Sequence, residues 1–357
     1  MPSKFQRLRP DDIAVTRTLL HESIPLTGAI VSGTYSEANI KNFNHGMFQS
    51  VYDYPYLSSS ANHIFDVTLG FHSSSPLSGA STVQNSKKIN IYNQMSQLLV
   101  GYDTTGSVRL FDKDGDLSSG TKHKSMVFLS FSRLLVKDEI KKGSFSMKIG
   151  TGSYGASKAN FRMQDGSPAV ITVADLDAQN KYKINSPAGE YGLLMTGSSY
   201  NVSSAVGLIY YQAGIVALTS SVFGSNAGRA GTTERSAFFT SETYANHVTS
   251  SAISGTCDVV RSRIQDVTFN NTTELNSRIY FCRAKHNQFN FSTNKTYTDP
   301  TNGKLRVKEE ESDSPVSYIT TIGLYNQAGE LLAVAKLSEP LKKDPTNELN
   351  LRVRLDY

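Results

Sequence analysis

Tryptophan is missing from all 357 residues, cysteine occurs twice, and no stretch is either densely basic or apolar over a membrane-spanning length. Each scarcity excludes something. Two cysteines, Cys257 and Cys282, are too few for a disulfide framework, so folding must rest on a core, and both read as reduced thiols. The uncharged region 191–227 contains VGLIYYQAGIVAL, but Gln212 and its glycines break it, which suits a buried hairpin better than a transmembrane helix. No membrane insertion is expected. The 36 basic and 31 acidic residues are interspersed, so the net charge of +5 does not gather into the basic run that marks a nucleic-acid partner. The first residues, MPSKFQRLRPDDIAVTRTLL, lack the apolar core and cleavage site of a secretory signal, so synthesis in a cytoplasm is expected. The Asn-x-Ser/Thr matches at Asn201, Asn270, Asn271, Asn290 and Asn294 are discounted for that reason.

What is present favours turn-rich β structure. Ser, Thr, Asn and Gly are abundant, and 18 Tyr and 17 Phe supply apolar bulk. The fold class read from this is α+β and β-rich: antiparallel sheets of sandwich or meander type with a few short helices. The length admits two or three domains. Segment 1–56 reads as an N-terminal arm with a β segment, in which 10–21 is a short amphipathic helix or an extended arm. Segment 57–152 reads as an α+β unit holding the strand HIFDVTLGF and a helix over 87–101, with Ile91, Met95, Leu98 and Leu99 as its apolar stripe and Gly101 as its stop. Segment 153–233 reads as a β-rich insert of short strands, including a hairpin turning at Gln212-Ala213-Gly214, with a loop over 225–233. Segment 234–357 reads as a C-terminal β domain: a helix over 236–250, strands RIYFCRA and QFNFST, a hairpin and a last strand.

The clearest pattern lies at the carboxy end. Leu349, Leu351, Val353, Leu355 and Tyr357 alternate with Asn350, Arg352, Arg354 and Asp356, the period of a half-buried strand held in a sheet. Two apolar runs, 318–325 and 330–337, flank Asn326-Gln327-Ala328-Gly329, a hairpin turn in which Gly329 takes the left-handed conformation. Pro340 and Pro345 cannot donate to a ladder, so 338–348 reads as a loop.

Candidate chemistry is sparse. Gly150, Gly152 and Gly155 follow a strand but precede no helix, so they read as a turn and not as a dinucleotide site. Asp112, Asp114 and Asp116 alternate as in a calcium loop, yet Leu117 and His123 stand where Gly and Glu would be needed, so a D-G hairpin turn is favoured. His247, Cys257, Cys282 and His286 are the right ligand types for zinc at poor spacing. No catalytic residues, metal or cofactor are assigned, and the chain does not read as an enzyme.

The segment IGLYNQAGELLAVAKLSEP, 322–340, resembles one that recurs in tail, baseplate and fibre-attachment proteins of tailed bacteriophages. More general likeness lies in VGLIYYQAGIVALTSSVF and MVFLSFSRLLVKDEIKKGSFS. The resemblance implies a virion structural protein of tail or baseplate, made in a bacterial host, whose partners are other virion proteins and copies of itself. A receptor- or carbohydrate-binding tail module, a neck or head-associated protein and a tail-associated hydrolase are the alternatives. Contact elements expected on this reading are 1–20, 43–56 and 77–86. Deleting 349–357 is expected to unfold the carboxy-terminal sheet and abolish incorporation into particles; melting curves of the truncated and full chains, with particle assembly as a second readout, check it.

Overall fold

Alternating apolar residues give this chain its antiparallel strands, and the few helices cover sheet faces. The computed structural model describes residues 5–26, 37–79, 82–150, 170–223, 252–292, 298–304, 310, 312 and 314–357. In chain order, β1 (Ile13–Pro25), β2 (Ile40–Asn42), β3 (Gln49–Tyr52) and β4 (His63–Phe71) precede helix α1 (Val83–Leu99). The small hairpin β5 (Phe111–Asp112) and β6 (Lys122–His123) leads to β7 (Ser125–Phe131), the single-turn α2 (Arg133–Val136), β8 (Glu139–Ile140) and β9 (Ser146–Gly150). Then come β10 (Val170–Ala174), the short α3 (Ala178–Lys181), β11 (Tyr191–Thr196), β12 (Ala205–Tyr210) and β13 (Ile215–Thr219). Helix α4 (Ile253–Arg263), β14 (Ile264–Ala284), β15 (Ser317–Tyr325), β16 (Leu331–Lys343) and β17 (Leu349–Asp356) complete the described elements.

The chain divides into two compact units, Met1–Leu19 with Glu274–Tyr357, and Leu20–Thr273. The unit Leu20–Thr273 is one antiparallel sheet in the order β14-β9-β10-β11-β12-β13-β7-β4-β3-β2. The expected meander is present as β10 to β13, turning between β12 and β13 at residues 211–214. All four sequence segments contribute strands to this sheet. Residues 10–21 resolve as a 3-10 turn and the extended β1, not a helix. The helices expected over 236–250 and the loop over 225–233 lie outside the described residues.

Strand β4, in register with β7, carries the centre of the core: Phe65 faces Phe131, Val67 faces Leu129 and Leu69 faces Val127. Phe131 packs on Phe269 at a ring separation of 5.3 Å, and Phe145 stacks on Phe269 at 6.4 Å. Burying this many aromatic rings is the dominant stabilising term of the unit. The alternate face of β4 ends at Gly70, where helix α1 crosses. A Cβ on residue 70 would lie 2.5 Å from the Lys88 carbonyl oxygen and 2.6 Å from the Tyr92 nitrogen, so only glycine admits this approach.

Helix α1 starts at Thr82, whose hydroxyl accepts the Asn85 N–H at 3.2 Å, and stops before Gly101 at a φ of 84°. Of the expected stripe, Ile91 and Leu99 are buried and Met95 packs against the core, while Leu98 points to solvent; Asn85, Lys88, Tyr92 and Ser96 extend the buried face. The close approach at Gly70 selects this face, because polar groups there bond to the β5–β6 hairpin. The Tyr92 hydroxyl donates to the His123 carbonyl at 2.6 Å and accepts the Phe111 N–H at 3.3 Å, and the Ser96 hydroxyl donates to the Arg109 carbonyl.

The unit Met1–Leu19 with Glu274–Tyr357 is built differently. Strand β17 pairs with β14 from Ser277 to Ala284, as its alternation predicts, and β15 pairs only with β16. The buried apolar residues of this unit, among those described, are Ile279, Ala284 and Val353. Two local expectations are corrected. Strand β16 continues through Pro340 to Lys343, because the register shifts opposite residues 319–321 and Pro340 falls in that irregularity, where no ladder N–H is required. The expected strand QFNFST is irregular, with Phe289 at a φ of 54°.

Substituting Gly70→Ala forces backbone of β4 or α1 to move. The variant is expected to lose about 2 kcal/mol or more of stability, read as a lowered urea midpoint of the unit Leu20–Thr273.

Candidate functional site

An apolar residue on a two-stranded ribbon has only one neighbouring strand to cover it. The β15–β16 hairpin therefore leaves Tyr318, Tyr325, Leu331, Leu332 and Val334 exposed, Leu332 at 68% and Val334 at 52%. Its turn is the expected one: the Glu330 N–H donates to the Asn326 side chain at 2.8 Å, the Gly329 N–H to the Asn326 carbonyl at 3.1 Å, and Gly329 has a φ of 84°. At its base, fully buried Lys343 donates to the Asn290 side chain at 2.7 Å and to the Asp344 carbonyl at 2.8 Å, and the Ser317 hydroxyl donates to the Phe289 carbonyl. Phe5 meets Tyr325 edge-on at 5.0 Å. The ribbon is thus anchored at its foot and bare along its length. Exposed strand edges flanked by apolar side chains are pairing surfaces.

A cleft of about 450 Å³ lies between α1 and the sheet in the unit Leu20–Thr273, lined by Met47, Phe48, Asp66, Ile91, Met95 and Phe128 among others. Phe43, His45 and Phe48 stack with one another at its edge, within the expected contact element 43–56. Inside, the Ser50 hydroxyl donates to Asp66 Oδ1 at 2.5 Å, and His63 Nε2 lies 2.9 Å from the same oxygen. The serine proton is committed to the carboxylate and not to His63, so this trio is not arranged to activate a nucleophile.

The loop 113–121 brings together the carboxylates of Asp112, Asp114 and Asp116, each with an oxygen within 4.8 Å of the other two. It spans a full loop between β5 and β6, not the two-residue D-G turn that the sequence suggests. Burial pushes the Asp112 carboxyl up, while N–H donation from Ser118 holds Asp116 down to about 2. Among the described residues this is the one group of metal-ligating side chains, and it contains neither His nor Cys. Cys257 is buried, its thiol donating to the Val67 carbonyl at 3.4 Å; Cys282 is half-buried opposite Leu351; neither is in a disulfide. His286 is exposed, with Nδ1 at 3.2 Å from Glu348. His247 lies outside the described residues, as do Gly152 and Gly155; Gly150 ends β9. Asn271 is buried, its Nδ2 donating to the Leu135 carbonyl at 2.9 Å, so it is no glycan acceptor.

Asp175 is the strongest perturbed acid. Burial raises its carboxyl to about 7, against the lowering effect of the Gly143 and Phe145 N–H groups at 2.7 and 2.9 Å and of the Tyr211 hydroxyl at 3.3 Å. Its bonds tie down the turn before β9, a structural role. Among the described residues, no helix is long and apolar enough to cross a membrane. No protein-family model matches the chain, and neither a curated protein nor a solved structure matches it.

A carboxyl raised above its unfolded value contributes stability that is complete at low pH and is lost as pH rises through the folded value. Between pH 5.5 and 8 the wild-type chain is expected to lose about 2 kcal/mol from this group. In Asp175→Asn that component of the slope disappears; urea melts of both proteins at the two pH values measure it.

Proposed function

We propose that this chain is a non-enzymatic structural subunit of a tailed-bacteriophage particle, placed in the tail or baseplate. It acts by assembling with copies of itself and with neighbouring virion proteins. The observation that carries the reading is the β15–β16 ribbon, with Leu331, Leu332, Val334 and two tyrosines exposed on strands that pair only with each other. The phage resemblance of 322–340 falls on this same ribbon. Apolar and aromatic side chains of this kind supply most of the energy of a protein interface, and a free strand edge adds main-chain hydrogen bonds. Exposed Val15 and Leu19 of β1 belong to the same unit and extend the apolar supply.

A second reading, a receptor- or carbohydrate-binding tail module, is favoured by the cleft under α1 and its aromatic edge. Saturable binding of host-surface glycans, lost on Phe48→Ala, is its signature. A neck or head-associated location is a variant of the main reading that localisation in the particle distinguishes.

The double variant Leu332→Glu with Val334→Glu puts charge on the exposed ribbon. Light scattering after size-exclusion chromatography is expected to show a closed oligomer for the wild type and a smaller species for the variant, with the melting of the Leu20–Thr273 unit unchanged. A wild-type chain that stays monomeric, and a variant that enters particles as well as the wild type does, contradict the proposal.

A further inference from the structure

A carboxylate oxygen withdrawn from water needs a donor or a cation, and one in this protein lacks a donor. Asp112, at the end of β5, has a side chain with 0% of its surface exposed. Its Oδ2 receives the Leu117 N–H at 2.8 Å and the Lys122 Nζ at 3.0 Å, whereas its Oδ1 has no hydrogen-bond partner. Half-buried Asp114 and exposed Asp116 bring their carboxylates within 4.8 Å of it and of each other. The three carboxylates outnumber the one lysine, Lys122, that forms an ion pair with them. Of the other lysines beside the loop, Lys113 is directed to the Ser203 carbonyl at 2.8 Å, and the side-chain stem of Lys183 lies against Gly115.

We infer that Asp112, Asp114 and Asp116 form a binding site for a single hard divalent cation of the calcium type. An ion there supplies the missing partner of the Asp112 oxygen and offsets the charge of the carboxylates. The ligand set is all oxygen, with no imidazole or thiolate, which selects calcium or magnesium over zinc. Carboxylates on an irregular loop tolerate the variable geometry of calcium better than the strict octahedron of magnesium. The spacing is that of the first, third and fifth ligands of a calcium loop, whose sixth residue must be left-handed. Leu117 stands at that sixth place and has a φ of 62°, so the residue that argues against the motif in sequence nonetheless takes its conformation. His123 stands at the twelfth place, so no bidentate glutamate completes the shell, and solvent supplies the remainder. Binding is accordingly weak, with a Kd on the order of 10⁻⁴ to 10⁻³ M.

The loop is tied to the sheet: the Gly115 carbonyl accepts from Asn185 Nδ2 at 3.0 Å and from the Tyr191 hydroxyl at 3.1 Å. Cation binding should therefore be felt as added stability of the Leu20–Thr273 unit. With no tryptophan in the chain, Tyr191 is placed to sensitise terbium luminescence from a lanthanide at the same site.

The test is calorimetric titration of the full chain with calcium chloride and with magnesium chloride, beside terbium luminescence. The expected result is one calcium ion per chain, bound more tightly than magnesium, with Asp114→Asn and Asp116→Asn each weakening binding about ten-fold. Far-UV circular dichroism and melting in chelator establish that the variants fold as the wild type does. Absence of saturable calcium binding up to about 10 mM, or binding that both substitutions together leave unchanged, overturns the inference. Magnesium bound as tightly as calcium overturns its calcium-type assignment.

Discussion

Because residue 70 has no side chain, the main chain of α1 lies directly on β4, with Lys88 and Tyr92 backbone atoms where a Cβ would be. Much of the larger unit follows from that approach. It sets which face of α1 is buried, and so places the Tyr92 hydroxyl between the His123 carbonyl and the Phe111 N–H. Those two bonds seat the β5–β6 hairpin, and the hairpin in turn buries Asp112 and gathers the acidic loop. One absent methyl group thus connects sheet packing to the electrostatics of a surface loop.

The two units solve the burial problem in opposite ways. In Leu20–Thr273 nearly every apolar strand residue finds a core neighbour, from Val51 and Phe65 through Met147 to Phe269. That is the condition for a unit to hold itself together. In Met1–Leu19 with Glu274–Tyr357, strands outnumber buried apolar side chains, and the longest ribbon keeps much of its apolar surface in water. An isolated two-stranded ribbon is marginally stable in water. Its anchoring at Lys343 and Ser317 fixes where it begins, while its length is left for something else to cover.

Local pattern made a good part of this legible. The alternation of 349–357 and the Asn326–Gly329 turn come from nearest neighbours and turn chemistry, and both stand as read. The strand HIFDVTLGF and the 212–214 turn are equally local. The burial of Ile91 and Leu99 on α1 was visible, but not the exposure of Leu98 or the polar half of the buried face, because a glycine in a strand thirteen residues before the helix admits a face containing Lys88 and Ser96. Pro340 argued for a loop, since a ladder irregularity that excuses its missing N–H depends on the partner strand. The three aspartates were visible as a pattern; the burial of Asp112 depends on Tyr92 and Lys122 and so on the whole fold. No residue pattern distinguished an exposed ribbon from a covered one, because coverage is a property of what packs on it.

On the proposed assembly, the Leu20–Thr273 unit supports itself while the β15–β16 ribbon is completed by partner chains. Hydrogen exchange read by mass spectrometry on the full chain, at a dilution that keeps it monomeric and again in its assembled form, tests this most directly. Amides of β4, β7 and β13 are expected to be protected in both, while those of β15 and β16 exchange rapidly in the monomer and slowly on assembly. A ribbon as protected in the dilute monomer as β7 is would contradict it.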